Sequence, residues 1–304
     1  MEAALVNKFQ YIALVLLSTF LMGIAFPIGK IGLAYAPPFF LMGIRYLLAG
    51  GLLALIVIRK PLPSGGRMWL QVSIIGLLQT TVVMSCVYYS MRWITSSESA
   101  IITFTNPLLV IILGSIFGGY VYRIREWIGV AIGFVGVFLT FGSDLDINPG
   151  TLIAFIGALS FATATLLIRR WGYAFHMEVL TAYQMLAGGI GLLILSLFTE
   201  HPYFIFTITS VEVVLCLVIP CSIVQFSVWF QLLCKGDPGR TSSFLFLAPL
   251  FGVLSSWLLL SEQLKWYIFL GGAFICAGLF LVNWNGKGIT RLNRKVSAHS
   301  STIP

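Results

Sequence analysis

Several amide and hydroxyl side chains of this sequence lie inside long apolar runs, where polar groups are costly to bury. Amides and hydroxyls donate and accept hydrogen bonds, so they predict a binding site for a polar solute between apolar helices. A Ser or Thr hydroxyl has a simpler alternative, because it also bonds to a carbonyl of its own helix or joins two helices. The candidate solute-binding residues are Gln79, Thr80, Thr103, Asn106, Ser160, Thr163, Ser222, Gln225 and Ser243.

Two prolines within apolar runs, Pro107 and Pro249, predict local breaks in helices. Proline lacks an N–H, so the carbonyl four residues earlier, on Thr103 or Leu245, loses its usual donor and the helix can bend. We expect these prolines to act as hinges or to free a carbonyl for a solute. A static kink filled by packing is the alternative.

Three ionisable residues are candidates for gating or coupling: Lys30, Arg45 and Glu98. Arg45 lies about a third of the way into an apolar run, where a guanidinium needs a partner, water or a route to the surface. Lys30 and Glu98 lie at run ends, where a solvated interface is the alternative. No Asp or Glu lies at the centre of a run, which argues against a buried proton relay.

Catalysis and cofactor binding are not expected. The three histidines, His176, His201 and His299, lie outside the apolar runs, and no HExxH, CxxC or paired-aspartate motif is present. The Gly-rich loop at 63–66 lacks the Lys-Ser/Thr ending of a phosphate cradle. A channel would show a filter or a ring of like charges. A lipid scramblase or a structural assembly protein is the alternative class.

Composition defines the elements that must position these residues. Of 304 residues, 59% are hydrophobic and 9% charged, with a mean hydropathy of +0.98, so a water-soluble domain is excluded. Runs that are apolar on all sides predict an all-α integral membrane protein with ten transmembrane helices. These lie at 11–30, 37–58, 68–90, 98–119, 126–142, 150–169, 178–198, 211–233, 241–260 and 265–284.

Charge predicts the orientation of the chain. Most of the 18 Lys and Arg residues fall in alternate loops, which places both termini in the cytoplasm of a multi-pass protein of the cell membrane. This bias explains the net charge of +8 without a nucleic-acid partner; the expected partners are lipid and a small molecule. Residues 286–304 are basic and rich in Ser, and we expect a disordered cytoplasmic tail.

The sequence contains an internal repeat. An offset of 142 superposes Pro107 on Pro249 and Gly136 on Gly278, which predicts two five-helix repeats over residues 1–142 and 150–285. Five is odd, so the repeats must be inverted, an architecture typical of alternating access about a midplane site. Glycines in the fifth and tenth segments predict close helix packing, within the chain or in a homodimer.

Several motifs together resemble the drug/metabolite transporter superfamily, in its ten-helix EamA-like branch. They are Gly23 with Lys30 in the first segment, Arg45 in the second, Asn106-Pro107 in the fourth, and Ser261-Glu262-Gln263-Leu264 after the ninth. The resemblance implies two bundled five-helix repeats and transport of small metabolites, amino-acid-like or drug-like, often by efflux. The chain departs from the family at Met22 and Phe161, where Trp is usual, and at Tyr120, where an acidic residue is common.

Overall fold

The computed structural model describes residues 8–117, 120–140, 148–235, 247–263, 266–283 and 290–291, and these fold as a helical bundle. The α-helices are α1 (Lys8–Gly32), α2 (Pro38–Ile56), α3 (Gly66–Gly76), α4 (Val83–Ser90), α5 (Ser96–Thr103), α6 (Asn106–Ile116), α7 (Ile124–Thr140), α8 (Pro149–Trp171), α9 (Met177–Thr199), α10 (Ile208–Val218), α11 (Gln225–Lys235), α12 (Leu247–Leu260) and α13 (Trp266–Asn283). A 3-10 turn, Gly172–Ala174, follows α8.

Seven stretches of the described chain are long and apolar enough to cross a membrane. They are Phe9–Gly32, Pro38–Ile56, Gly66–Ser90, Ser96–Ile116, Pro149–Ala174, Met177–Thr199 and Ile208–Trp229. Helices α7, α12 and α13 lie where the remaining predicted segments fall. The expected helical membrane architecture is therefore present, because helices satisfy their own backbone polar groups where water is absent.

Two π-helices interrupt the predicted third and eighth segments. They are π1 (Leu77–Val82), between α3 and α4, and π2 (Ile219–Val224), between α10 and α11. They lie 142 residues apart, the same offset that superposes the two prolines. π-Helices are rare and concentrate at functional sites, so a matched pair marks these two segments as special.

The predicted fourth segment is also divided. Helix α5 ends at Thr103 and α6 begins at Asn106, with Phe104 and Thr105 forming a turn between them. The Thr105 hydroxyl donates to the Ile102 carbonyl at 2.6 Å within this turn. The break agrees with the bend predicted at Pro107, since proline fits the first turn of a new helix.

Helix contacts are symmetric under exchange of the two halves of the chain. Helix α2 packs on α9, and α7 packs on α13. Helix α1 contacts α11 and α12 of the second half, and α8 correspondingly contacts α4 and α6 of the first. Each half therefore uses its first helix to contact the third and fourth segments of the other.

Reciprocal glycine contacts join α7 and α13. A Cβ placed on Gly136 would lie 2.6 Å from the Gly271 carbonyl oxygen, and one on Gly278 would lie 2.5 Å from that of Gly129. Real side chains do not approach backbone this closely, so both positions require Gly. The packing predicted for the Gly-rich segments is thus within the chain, and we name it the α7–α13 crossing.

Outside the helices, two short strands form an antiparallel pair. Tyr120–Val121 pairs with Thr290–Arg291, so part of the predicted tail lies against the segment that precedes α7. The other residues of the tail lie outside the described residues, as does Ser243.

Candidate functional site

A buried arginine joins the two halves at the centre of a polar network. Arg45 on α2 is 4% exposed. Its Nε donates to Ser222 Oγ at 3.0 Å and its Nη2 donates to the Cys221 carbonyl at 3.0 Å, both on π2. Its Nη1 lies 3.4 Å from the Tyr88 hydroxyl, and its guanidinium carbon lies 5.0 Å from the centre of the Tyr46 ring. Arg45 does not snorkel to the surface.

The π-helix supplies acceptors for this guanidinium. An i→i+5 turn is wider than an α-turn and breaks the regular i→i+4 ladder, which leaves backbone groups available to side chains. Ser222 Oγ donates to the Leu217 carbonyl at 2.8 Å, which leaves the oxygen lone pairs of Ser222 toward Arg45.

Tyr88 extends the network to the first helix. Its hydroxyl donates to the Ala25 carbonyl on α1 at 2.9 Å. A Cβ on Gly29 would lie 2.0 Å from Tyr88 Cε1, so the ring fits against α1 only because residue 29 has no side chain. Helices α1, α2 and α4 of one half and π2 of the other thus meet at Arg45.

Two glutamines, one in π1 and one directly after π2, have buried polar atoms without partners in the part of the chain that the structure describes. Gln225, at the start of α11, is 3% exposed and its Nε2 has no acceptor. Gln79, in π1, has a buried Oε1 with no donor. Unpaired buried polar atoms are costly, so they mark a place where an additional ligand would be stabilising.

Each half donates a hydroxyl to the segment of the other half that contains a π-helix. Ser160 on α8 donates to the Leu78 carbonyl in π1 at 2.9 Å. Ser18 on α1 donates to the Gln225 carbonyl, directly after π2, at 3.4 Å. The predicted residues Gln79, Ser160, Ser222 and Gln225 therefore all lie on or against the two π-helices.

Other predicted binding residues serve helix structure. Thr103 donates to the Ser99 carbonyl at 2.7 Å, and Thr163 donates to the Leu159 carbonyl at 2.9 Å, each within its own helix. Thr80 donates to Gln184 Oε1 on α9 at 2.9 Å and so joins two helices. Asn106 is 8% exposed and begins α6 at the helix break. Pro249 lies near the start of α12.

A second polar cluster closes one end of the bundle, which we call the Glu262 end. The carboxylate of Glu262 accepts from the Ser96 N–H at 2.9 Å and hydroxyl at 2.8 Å, and from the Ser97 N–H at 3.2 Å and hydroxyl at 2.7 Å. It also lies 3.5 Å from Lys30 Nζ, which donates to the Ile94 carbonyl at 3.3 Å. Glu262 of the second half thus caps α5 of the first and pairs with α1.

Local backbone conformation directs Glu262 toward this position. Helix α12 ends at Leu260, and Ser261 has φ of 52°, a left-handed conformation that stops a helix but is strained for a residue other than Gly. Partial burial raises the pKa of Glu262, but the hydrogen bonds from Ser97 and Ser96 lower it by more. The pKa is therefore below its ordinary value of 4.5.

Another carboxylate strengthens the same end. Glu200, after α9, accepts from the Phe39 and Phe40 N–H groups at 3.3 Å each and so caps α2 across the two halves. Glu98 differs, since its bonds stay within α5: its carboxylate accepts from the Thr95 N–H at 2.8 Å in a capping box. Glu98 is therefore a local helix cap.

The opposite end has a weaker connection. Lys60, after α2, forms a salt bridge with Glu178 at the start of α9, and both side chains are largely exposed. Exposed pairs of this kind contribute little. A surface depression elsewhere is lined by Phe206, Ile208 and neighbouring residues and does not reach Arg45. Within the described ranges, no cluster of three His, Cys, Asp or Glu residues could hold a metal ion.

Four residues that make these polar contacts are not among those singled out from the sequence. Gln184 was overlooked, although it is an amide inside an apolar run like Gln79 and Gln225. Tyr88 gave no signal, because an aromatic residue near a helix end is common. Ser96 and Ser97 belong to a Thr-Ser-Ser-Glu capping sequence that predicts a helix start but not a partner from another helix.

Comparison with known proteins covers almost the whole chain. Residues 9–142 and 148–284 each match the EamA-like transporter family. The uncharacterized transporter YvbV of Bacillus subtilis (strain 168) is 28% identical over 273 residues, which is 87% of this chain and 88% of that protein. Protein PecM of Dickeya dadantii (strain 3937) is 27% identical over 243 residues, 79% of this chain and 80% of that protein.

A further relative and a solved structure are also similar to this chain over most of its length. The uncharacterized inner membrane transporter YedA of Escherichia coli (strain K12) is 29% identical over 230 residues, 74% of each chain. A crystal structure of another protein aligns with a TM-score of 0.66 at 16% identity, covering 88% of this chain and 96% of that one. At that identity the likeness concerns the fold alone.

Proposed function

The chain belongs to the EamA-like transporter family of the drug/metabolite transporter superfamily, and from this premise we propose that it carries its solute by alternating access through a site between its two halves. It is a multi-pass membrane transporter of small solutes rather than an enzyme. The observation that carries the proposal is the Arg45 network, in which a buried cation of one half is held by Ser222 and Cys221 of the other.

The proposed architecture is ten transmembrane helices in two inverted repeats, residues 1–142 and 150–285. Symmetric helix pairing and the matched π-helices support it, since equivalent segments make equivalent contacts. Each repeat would contribute five helices, so the two must enter the membrane from opposite sides. The protein then lies in the cell membrane with both termini in the cytoplasm, and the Glu262 end faces outward.

Topology is tested by labelling single cysteines with an impermeant thiol reagent. Ser64 follows α2 and Tyr203 follows α9, and both are exposed. In this arrangement Ser64→Cys reacts only from the cytoplasm and Tyr203→Cys only from outside. Reaction of both from the same side would contradict the inverted repeat.

The proposed solute site lies along the two π-helices. Gln79, Ser160, Ser222 and Gln225 line it, and Asn106 lies at the helix break, where Pro107 and its counterpart Pro249 act as hinges. Thr80, Thr103 and Thr163 are left out of the proposed site, because their hydroxyls donate to Gln184 or to a carbonyl of their own helix. Ser243 stays a prediction. Arg45 belongs to the site itself rather than to a gate.

Alternating access requires a closure at each mouth, and the Glu262 cluster supplies one. It joins α1, α5 and the end of α12 across the two halves, so opening that mouth breaks these bonds. Among the described residues no carboxylate lies at the centre of an apolar span, since Glu212 lies near the start of Ile208–Trp229, and Glu98 acts as a local cap. We therefore propose efflux of an amino-acid-like or drug-like metabolite without a buried proton carrier.

Counterflow in proteoliposomes tests this function. Vesicles loaded with unlabelled amino acids or small organic metabolites should accumulate the labelled solute, and Gln225→Ala should reduce the rate at least tenfold. Thr163→Ala is the matched control, because that hydroxyl bonds only to its own helix. Wild-type rates in Gln225→Ala would contradict the site.

A lipid assay separates this function from scrambling. Vesicles made with a fluorescent phospholipid should keep half of their signal protected from external dithionite. Loss of protection without solute flux would replace the transporter by a scramblase.

A further inference from the structure

Resting on the function proposed above, we propose that the transported solute carries a carboxylate and that Arg45 binds it. Three features of the structure support this assignment: the charge balance around Arg45, the unused donors of Arg45 and Gln225, and the position of Arg45 behind the Glu262 end.

The guanidinium of Arg45 is a buried cation whose charge has no counter-ion among the described residues. All of its acceptors are neutral: a serine hydroxyl, a tyrosine hydroxyl, a methionine thioether and a backbone carbonyl. The carboxylates of the described helix ends bond elsewhere, Glu262 to Lys30 and Ser96, and Glu178 to Lys60. A buried charge without a counter-ion attracts an anion strongly, because the surroundings screen it poorly.

The geometry of Arg favours a carboxylate over other anionic groups of small metabolites. A guanidinium presents five N–H groups in a planar fork that matches the two oxygens of a carboxylate. The described contacts use the N–H of Nε, one N–H of Nη2 and two long contacts of Nη1, to the Tyr88 hydroxyl at 3.4 Å and to Met42 Sδ at 3.9 Å. The second N–H of Nη2 is therefore still available for an incoming group, and the long contacts of Nη1 are the easiest to exchange.

A second unused donor follows the same π-helix. Gln225 begins α11 directly after π2, three residues beyond Ser222, which accepts from Arg45. Gln225 Nε2 is buried and has no acceptor in the described structure. A carboxylate has two acceptor oxygens and is the smallest anionic group that could serve donors of both residues.

The depth of Arg45 agrees with a solute site rather than with a mouth. Its partner Tyr88 bonds to Ala25, which precedes Lys30 by five residues on α1. At 1.5 Å per residue this is about 7.5 Å behind the ion pair of Lys30 with Glu262. The hydroxyls of Ser222 and Tyr88 thus occupy the guanidinium while that mouth is closed, and a carboxylate replaces them when the solute is bound.

Matched acid and amide probes test the assignment. Leucine, phenylalanine and threonine are compared with their carboxamides, by counterflow in proteoliposomes and by the shift in thermal unfolding midpoint of the purified protein. Wild type should favour an acid over its amide at least tenfold. Arg45→Gln should bring the ratio to within twofold of unity, and Arg45→Lys should give an intermediate ratio, since Lys keeps the charge without the fork.

The ratio separates recognition from folding. A merely structural role for Arg45 would lower acid and amide equally and leave their ratio unchanged, which overturns the proposal. Ser222→Ala should keep the acid preference, because it removes a neutral acceptor and leaves the guanidinium in place. If Arg45→Gln does not purify as a monodisperse protein, the acid-to-amide ratios of wild type and Arg45→Lys decide.

The remaining outcomes are distinct. Acids that shift the unfolding midpoint of wild type but not of Arg45→Gln, without counterflow, would support the site and contradict the transport function. Amides carried as well as acids would support transport and overturn the carboxylate. A midpoint that responds to chloride and to none of the acids would assign Arg45 to an inorganic anion, and a midpoint that responds to nothing also overturns the proposal.

Discussion

Replacing Glu262 with Gln should release the closure at the Glu262 end. The carboxylate accepts four hydrogen bonds from Ser96 and Ser97 and pairs with Lys30 at 3.5 Å. Gln keeps the size of the side chain, but its amide nitrogen cannot accept, so the donors facing that atom lose their acceptor. The free amide also lacks the charge that strengthens the remaining bonds.

The magnitude follows from these losses. One buried N–H left unpaired costs about 1–3 kcal/mol, and weakening of the charge-assisted bonds adds about 1 kcal/mol. The ion pair adds under about 1 kcal/mol, because Lys30 is partly exposed. A total of about 2–5 kcal/mol, at 1.4 kcal/mol per factor of ten, raises the open fraction of this mouth by about thirtyfold or more.

Thiol accessibility measures that fraction. Ser99 on α5 is fully buried behind the cluster, and its hydroxyl lies near the Ser90 hydroxyl and donates to the Val87 carbonyl. In a Ser99→Cys background, the rate of reaction with an external thiol reagent should rise about thirtyfold with Glu262→Gln. Glu98→Gln is the matched control, since it removes a carboxylate from the same helix end without touching the other half, and it should leave the rate within twofold. Equal rates for the two variants would refute the reasoning.

Two further predictions concern packing and pH. Gly278→Ala should lower the unfolding midpoint sharply, because its Cβ would lie 2.5 Å from the Gly129 carbonyl oxygen. Gly51→Ala is the control: its Cβ would have open space around it, so the midpoint should stay unchanged or rise. Equal shifts of the midpoint in the two variants would contradict the α7–α13 crossing. Because the pKa of Glu262 is lowered, the closed state is fully stabilised above pH 4.5 and loses this stabilisation as the pH falls through the lowered pKa. The rate of thiol labelling at Ser99→Cys should therefore rise only in acid. With Glu262→Gln the same rate should not change with pH.

The sequence predicts the architecture better than it predicts the partners of polar side chains. The apolar runs and the duplicated Pro–Gly pattern can be seen directly in the sequence. The helices of the bundle correspond to the runs, and the similar contacts of the two halves correspond to the duplication. The π-helices cannot be predicted from the sequence, because a change of the backbone hydrogen bonds from i→i+4 to i→i+5 leaves no signature in composition. Pro220 lies in π2, yet π1 contains no proline, so proline alone does not explain the pair.

Individual residues show where local reasoning stops. Arg45 is a candidate because of its depth in an apolar run alone. Its hydrogen bond to Ser222 depends on the packing of π2 against α2, which the sequence does not show. The hydroxyls of Thr103 and Thr163 bond to their own helices, the simpler of the two alternatives, because a carbonyl four residues earlier is always within reach. Glu262 follows an apolar run in the sequence, and only the fold brings Ser96 to it.

The α7–α13 crossing has a consequence for how motion in this molecule can be measured. Gly136 and Gly278 leave no side chain between the two backbones, so the helices cannot slide or separate there without direct steric conflict or loss of contact. Spectroscopic probes attached to the exposed faces of α7 and α13, for example at Val135 and Phe274, therefore share one rigid frame. Distances from that frame to the Glu262 end would report how far the mouth moves relative to a fixed part of the protein. Distances between two moving helices report only the difference between the two movements.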